Sequence, residues 1–387
     1  MKRRILALSR DRGSIQTILP VIAALNEMDT LSVHTFATRE SMPAVESRGL
    51  HASPMDEEAF TTDPERYIRS LFDTCRPELI LSGFSPARGP APETPEQYSI
   101  IEAHRLGVPS LSIQDYWGMY AQRLSRDGFS LADDLIPTRL CVLDQRALLD
   151  LKSFGVAEHR MAVTHNPWLD QLADLASADR PVERADRSEG IKVLLASQPL
   201  ASMLALRRWP YDQYDIFECL LAAMPGPSPG GDLSTLQILL HPSEDASRWN
   251  VLLDHLARED VSVELCPDRT PHLLRDVDYL VTSHSTLAYE ALYFGTPCIS
   301  LRPAKETVMH LWIDDVGLST VFQDVDSLRS HLISSDPATE RRRVLELKRE
   351  LMTEGLVFSD GMATQRVLAE IMSLLENHPQ APQSLLQ

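Results

Sequence analysis

The stretch Asp278-Tyr279-Leu280-Val281-Thr282-Ser283-His284-Ser285-Thr286-Leu287-Ala288-Tyr289-Glu290-Ala291-Leu292-Tyr293-Phe294-Gly295-Thr296-Pro297-Cys298-Ile299-Ser300-Leu301-Arg302-Pro303 decides the fold. Tyr279–Thr282 is a short apolar and β-branched run that reads as a strand. Ser283–Thr286 is a hydroxyl-rich turn, and its residue types favour capping a helix over continuing a strand. A helical period starts near Ser285 or Thr286, Gly295 ends it, and Pro297 opens the next strand. Strand, helix and strand in so short a span make a βαβ unit, which requires a parallel sheet.

The same alternation extends in both directions. Before residue 176 the strands read Ile5–Ser9, Leu31–Ala37, Glu78–Ser85, Pro109–Asp115, Arg139–Asp144 and Arg160–Asn166. Helical periods at Ser14–Leu25, Glu65–Cys75 and Pro95–Leu106 lie between them. Residues 176–190 are polar and aperiodic and read as a linker. Beyond it the strands Ile191–Ser197, Thr235–Pro242, Val261–Cys266 and Pro297–Leu301 join Tyr279–Thr282. Met224–Asp232 has the Gly/Pro composition of a surface loop. Helices over roughly Ala338–Met352 and Gly361–Asn377 follow, then a tail over 378–387. The expected fold class is α/β, with two doubly wound Rossmann-like domains, at 1–175 and 191–357, facing across a cleft. Residues 358–377 read as a last helix, and the resemblance of the 278–303 block to GT-B nucleotide-sugar enzymes implies that it crosses back to the first domain. Ligands of open parallel sheets bind at the carboxyl ends of the strands, so the site is expected there.

Bulk properties narrow the partners. The chain has 387 residues and a net charge of −18. Such acidity argues against a broad nucleic-acid or membrane-surface footprint. Cys75, Cys141, Cys219, Cys266 and Cys298 are odd in number and form no CxxC pair, which fits free thiols in a reducing cytoplasm. No metal-ligand spacing is visible, and no cofactor is expected. Met1-Lys-Arg-Arg leads into only four apolar residues, too few for a signal core or an integral membrane segment. Nothing in the sequence sets the oligomeric state.

The turn at 283–286 carries chemistry. Hydroxyls at a helix start, free main-chain amides and the positive dipole end together make an anion site that needs no lysine. Ser283, Ser285 and Thr286 are the candidates for gripping a diphosphate. Glu290 stands one helical turn beyond Thr286, placed to accept from ribose hydroxyls. With this block the chain resembles the donor-binding domain of GT-B nucleotide-sugar enzymes: glycosyltransferases, hydrolysing UDP-N-acetylglucosamine 2-epimerases and CDP-glycerol glycerophosphotransferases. The resemblance implies phosphate binding by Ser285 and Thr286 and ribose binding by Glu290. It also places His241, in Leu239-Leu240-His241-Pro242, near the donor. Arg302 and Gln198, each ending a strand, complete the donor-side set. Val163-Thr164-His165-Asn166-Pro167-Trp168-Leu169-Asp170 is similar to the family's T-G-N-P-x-x-D segment, with His165 where Gly is usual.

On the first domain, Asp115 ends a strand and is the first candidate for the base that takes an acceptor hydroxyl's proton. Asp11 is the second candidate. Gly13 and Ser14, in the turn from the first strand into a helix, form a phosphate or acceptor loop, although a plain βα turn accounts for them equally well. Trp117 and Tyr120 either stack on a sugar or pack internally. The expected activity is metal-independent transfer of a sugar from a nucleotide-activated donor to an acceptor hydroxyl, in glycan or polysaccharide synthesis. Three alternatives stay open: a hydrolysing 2-epimerase, a CDP-polyol phosphotransferase, and a non-catalytic nucleotide-sugar binding protein.

Overall fold

The computed structural model describes residues 2–87, 94–178, 190–201, 210–227, 231–241, 244–256, 258–266, 271–304, 312–354 and 360–378. The chain forms two compact units. One comprises Met1–Gln171 with Glu354–Gln387, and the other Leu172–Thr353.

The first unit is built on seven parallel strands: β1 (Arg3–Ser9), β2 (Leu31–Ala37), β3 (Ser53–Pro54), β4 (Leu79–Ser82), β5 (Ser110–Ile113), β6 (Arg139–Val142) and β7 (Met161–Val163). Their spatial order is β3-β2-β1-β4-β5-β6-β7. The second unit has β8 (Lys192–Ala196), β9 (Ser234–Leu239), β10 (Val261–Leu265), β11 (Tyr279–Thr282), β12 (Cys298–Leu301) and β13 (Ser319–Phe322), in the order β10-β9-β8-β11-β12-β13. Each sheet reverses direction of growth once, between β1 and β4 and between β8 and β11. These switch points are where doubly wound sheets open a crevice at their carboxyl ends.

Sequence chemistry explains the elements. In the Arg12–Asn26 helix, Ile15, Ile18, Leu19, Ile22 and Leu25 recur at helical spacing and are all buried. The Pro95–Leu106 helix starts with a reciprocal capping box between Thr94 and Gln97 and stops at Gly107, whose φ is 67°. The Leu287–Phe294 helix is buried along its whole length and ends at Gly295, φ 68°. A Cβ on Gly295 would come within 2.6 Å of Leu345 Cγ, so both backbone and space demand glycine there.

Several boundaries differ from the sequence reading. β3 and β13 are edge strands with too few apolar residues to stand out. The strands ending at Asp115, Asp144 and Asn166 stop earlier, because those polar side chains turn to cap or brace loops. The Pro167–Ala178 helix runs into the stretch read as linker, carried by buried Trp168, Leu169 and Leu172. The rest of that linker, 179–189, lies outside the described residues, as do 228–230 of the Gly/Pro loop and the tail from 379.

The final helix, Ala363–Asn377, belongs to the first unit. Val367, Ile371, Leu374 and Leu375 join the core made by β1, β4 and the Arg12–Asn26 helix. Asp170 fixes its start by accepting from Gly361 N (3.1 Å) and Ala363 N (2.7 Å). His165 adopts φ 64°, taking the left-handed conformation that glycine would supply, and its Nδ1 lies 2.9 Å from Leu143 O. The segment 163–170 is thus a structural junction.

Candidate functional site

At the switch point of the second unit, β8 and β11 present Ser197–Gln198 and Ser283 side by side. Thr282 Oγ1 donates to Ala196 O (3.4 Å), and Ser197, Gln198, Ser283 and Gln213 line one small cavity. Ser283 is buried, and its hydroxyl is bonded to Tyr211 OH at 3.0 Å. Burial raises the Tyr211 phenol pKa. The Gln198 amide oxygen is buried and has no hydrogen-bond partner.

The turn partly consumes its own donors. Ser285 N donates to Thr282 Oγ1 (3.0 Å), and Leu287 N donates to Ser285 Oγ (3.2 Å). Thr286 sits at the helix start in αR conformation, makes no side-chain cap, and is exposed. Thr286 therefore presents the turn's outward hydroxyl, while Ser285 acts as the cap. Glu290 is 8% exposed, not a solvated surface charge.

His284, between the two serines, is also buried, and its pKa falls to about 4 through burial, with Arg302 and His241 adding repulsion. Arg302 is fully buried and ion-paired with Asp314, which also accepts from Ser300 (2.6 Å) and from Ser319. Its charge acts on the turn from within the protein. His241 follows β9, where Glu244 Oε2 accepts from His241 N (2.8 Å), while Glu244 Oε1 accepts from Ser197 Oγ (2.8 Å) and Trp249 Nε1 (3.3 Å). Glu244 thereby ties the ends of β8 and β9 together, and burial raises its pKa. Tyr211, Glu244 and Asp314 were not legible as site residues. Each meets the site only through tertiary packing.

The first unit gathers Asp11, Gly13, Ser14 and Asp115 at the carboxyl ends of β1, β4 and β5. Asp115 Oδ1 accepts from Arg123 Nη1 at 2.9 Å, and Arg123 is 2% exposed. A Cβ on Gly13 would lie 3.7 Å from Asp115 Oδ2, so the second oxygen faces the start of the first helix. Asp11 is held by Arg10 through two bonds, Nε to Oδ1 (3.0 Å) and Nη2 to Oδ2 (3.2 Å). Ser14 Oγ accepts from Phe84 N at 3.2 Å, and so braces β4 instead of facing outward. Gly83 makes this approach possible, since a Cβ there would sit 2.5 Å from Ser9 Oγ and 2.7 Å from Ser14 Cβ.

Trp117 Nε1 donates to Asp144 (2.8 Å), and Trp117 and Tyr120 pack against the Phe84–Leu140 core, which accounts for both rings by packing. Sequence reasoning passed over Arg123, although it stands eight positions after Asp115, and over Glu96, which reads as an ordinary acid in a helix's first turn.

Among the described residues no group of three or more His, Cys, Asp or Glu is arranged to hold a metal ion, and no helix is long and apolar enough to cross a membrane.

No protein-family model matches the chain, and no curated protein matches it. Solved structures do. The S. aureus MnaA–UDP structure superposes with a TM-score of 0.66 at 13% identity, over 98% of this chain and 99% of the other. UDP-GlcNAc 2-epimerase from Neisseria meningitidis, bound to UDP-GlcNAc, gives 0.60 at 13% identity over 96% and 100%. Anabaena Alr3699/HepE, in complex with UDP and glucose, gives 0.56 at 12% identity over 95% and 99%. The shared architecture, two doubly wound parallel α/β units, is the GT-B fold.

Proposed function

We propose that this chain is a glycosyltransferase that moves a sugar from a nucleotide-activated donor to an acceptor hydroxyl without a resident metal. The observation that carries the reading is the turn at Ser283–Thr286. It stands at the β8–β11 switch point, opens a helix, and has the buried Glu290 one turn along. A diphosphate at that pole meets main-chain dipoles and the exposed Thr286 hydroxyl, and Glu290 takes the ribose hydroxyls. Arg302, its charge countered by Asp314, braces the base of the turn from within. Solved proteins of this fold that bind UDP or UDP-GlcNAc support the ligand class.

In the transfer step the acceptor oxygen bonds to the anomeric carbon as the bond from that carbon to the diphosphate oxygen breaks. The bonding pair leaves with the diphosphate, where the helix pole stabilises the developing charge. The acceptor's proton goes to a carboxylate, assigned to Asp115 through Oδ2, with Asp11 as the second candidate. Arg123 keeps Asp115 oriented by holding Oδ1.

Thermal-shift titration with UDP, CDP, GDP and dTDP tests the donor assignment, because a ligand that binds only the folded chain raises Tm. At least one nucleotide should raise it, and Glu290→Ala should weaken that nucleotide by about 1–3 kcal/mol. No shift with any of them removes the donor assignment. Turnover should persist in EDTA.

A hydrolysing 2-epimerase is the second reading, favoured by the whole-chain likeness to UDP-GlcNAc 2-epimerases. Against it, Ala196-Ser197-Gln198-Pro199-Leu200-Ala201-Ser202 lacks the His, Arg and Glu those enzymes carry early in the second domain. Release of free sugar with UDP from a UDP-N-acetylhexosamine, with no acceptor present, would select it.

A further inference from the structure

Glu96 stands at the carboxyl edge of the first sheet, is enclosed, and has no ion pair of its own among the described residues. It lies in the first turn of the Pro95–Leu106 helix and is 2% exposed. Its Oε1 accepts from Arg10 N at 2.8 Å and from Ser9 Oγ at 3.1 Å. Its Oε2 has no hydrogen bond of normal geometry, and the nearby Ser85 hydroxyl favours its ionised form only weakly. The carboxyl therefore grips the β1 end with one oxygen and leaves the other in the interior with only Ser85 near it. A desolvated carboxylate with half its acceptor capacity unmet is costly to keep charged.

The bond from Arg10 N to Glu96 has a second consequence. Arg10 forms the bidentate pair with Asp11 and also donates to Pro86 O at 2.7 Å, so its backbone and side chain fix the turn from β1 to the first helix together. The charged groups that act on Glu96 are Arg10, which favours its ionised form, and Asp11, which opposes it; burial outweighs both and raises its pKa. An ionised Glu96 competes with Asp11 for the Arg10 guanidinium, whereas a protonated one does not.

We infer that Glu96 is a proton-linked positioning residue: its Oε1 holds the Ser9–Ser14 turn in register, and loss of the proton on Oε2 draws Arg10 from Asp11 and loosens that turn. The turn carries Asp11 and Gly13, and Gly13 faces Asp115. The inference rests on the proposed transferase reading only where turnover is measured.

The test is amide hydrogen exchange of the peptide spanning residues 9–16, expressed as protection factors between pH 5 and 9, on the full chain and on Glu96→Gln and Glu96→Ala. Wild-type protection should fall on the alkaline side. Glu96→Gln keeps the acceptor oxygen and cannot ionise, so its protection should match wild type at low pH and stay flat. Glu96→Ala should lose about tenfold in protection at every pH. In a transfer assay Glu96→Gln should hold kcat within about threefold and leave the KM for the nucleotide donor unchanged, while its alkaline limb disappears. A wild-type protection independent of pH, or a Glu96→Gln chain as loose as Glu96→Ala, overturns the inference. If Glu96→Ala does not fold, the wild-type and Glu96→Gln profiles decide alone. A chain that binds no nucleotide yet shows the predicted exchange pattern would sink the transferase reading and leave this one standing.

Discussion

His284 is a titratable ring in the middle of the proposed diphosphate turn, and it has to stay neutral. Its folded pKa of about 4 lies below the ordinary value of 6.5. For a base lowered in this way, the unfolded chain takes up the proton first as pH falls. Stability is therefore intact above pH 6.5 and is lost progressively down to about pH 4, by about 3 kcal/mol at most. His284→Asn should flatten this acid limb in melting curves of the isolated protein, and an unchanged limb would show that the ring is not the group responsible. Glu96 works in the opposite sense. Its folded pKa is raised, so the contribution is complete below about pH 4.5 and is lost as pH rises through the folded value. The Tm advantage of Glu96→Gln over wild type should therefore grow with pH. The spacing of Ser285, Thr286 and Glu290 was readable, because spacing along one helix is local. It could not show that Tyr211 reaches Ser283 across 72 positions, or that Glu96 reaches Ser9 across 87.

At the scale of elements, punctuation was the readable part. Gly107 and Gly295 mark helix ends in the primary sequence and adopt φ 67° and 68° in the fold. The Gly295 position allows a sharp prediction. Gly295→Ala adds a strained backbone and a 2.6 Å approach to Leu345, and should destabilise by about 2–4 kcal/mol, read as a lower denaturant midpoint at constant m. Gly83→Ala should be comparably harmful, because Ser9 and Ser14 are rigid parts of the β1 edge. Elements without such marks were harder to read. β13 has only one buried residue, Ser319, at a sheet edge, and β3 is two residues long, so neither raises a hydrophobic signal above its surroundings. The hydroxyl turn was readable as a cap but not as a partly closed one, because that depends on Thr282 and Ser285 side chains turning back onto amides.

Across the whole molecule, alternation of strands and helices was enough to establish two parallel sheets, and the restart of the pattern near residue 190 separated them. The exact path of the chain between them was not readable, since Asp170, Gly361 and Ala363 are joined by contacts spanning about 190 positions. The first unit is discontinuous: its core is completed by residues that follow the entire second unit. Val367, Ile371, Leu374 and Leu375 each contribute about 2 kcal/mol of burial as an upper figure. Together that rivals the net stability of an ordinary domain. A chain truncated after residue 354 should therefore melt with its first unit open to protease, while β8–β13 stay resistant. During synthesis the amino-terminal sheet must leave the ribosome with an oily flank unsealed and wait until residues 363–377 have been added. Its maturation is thus tied to translation of the whole second unit, so a product terminated before residue 363 is marked by its own exposed apolar surface.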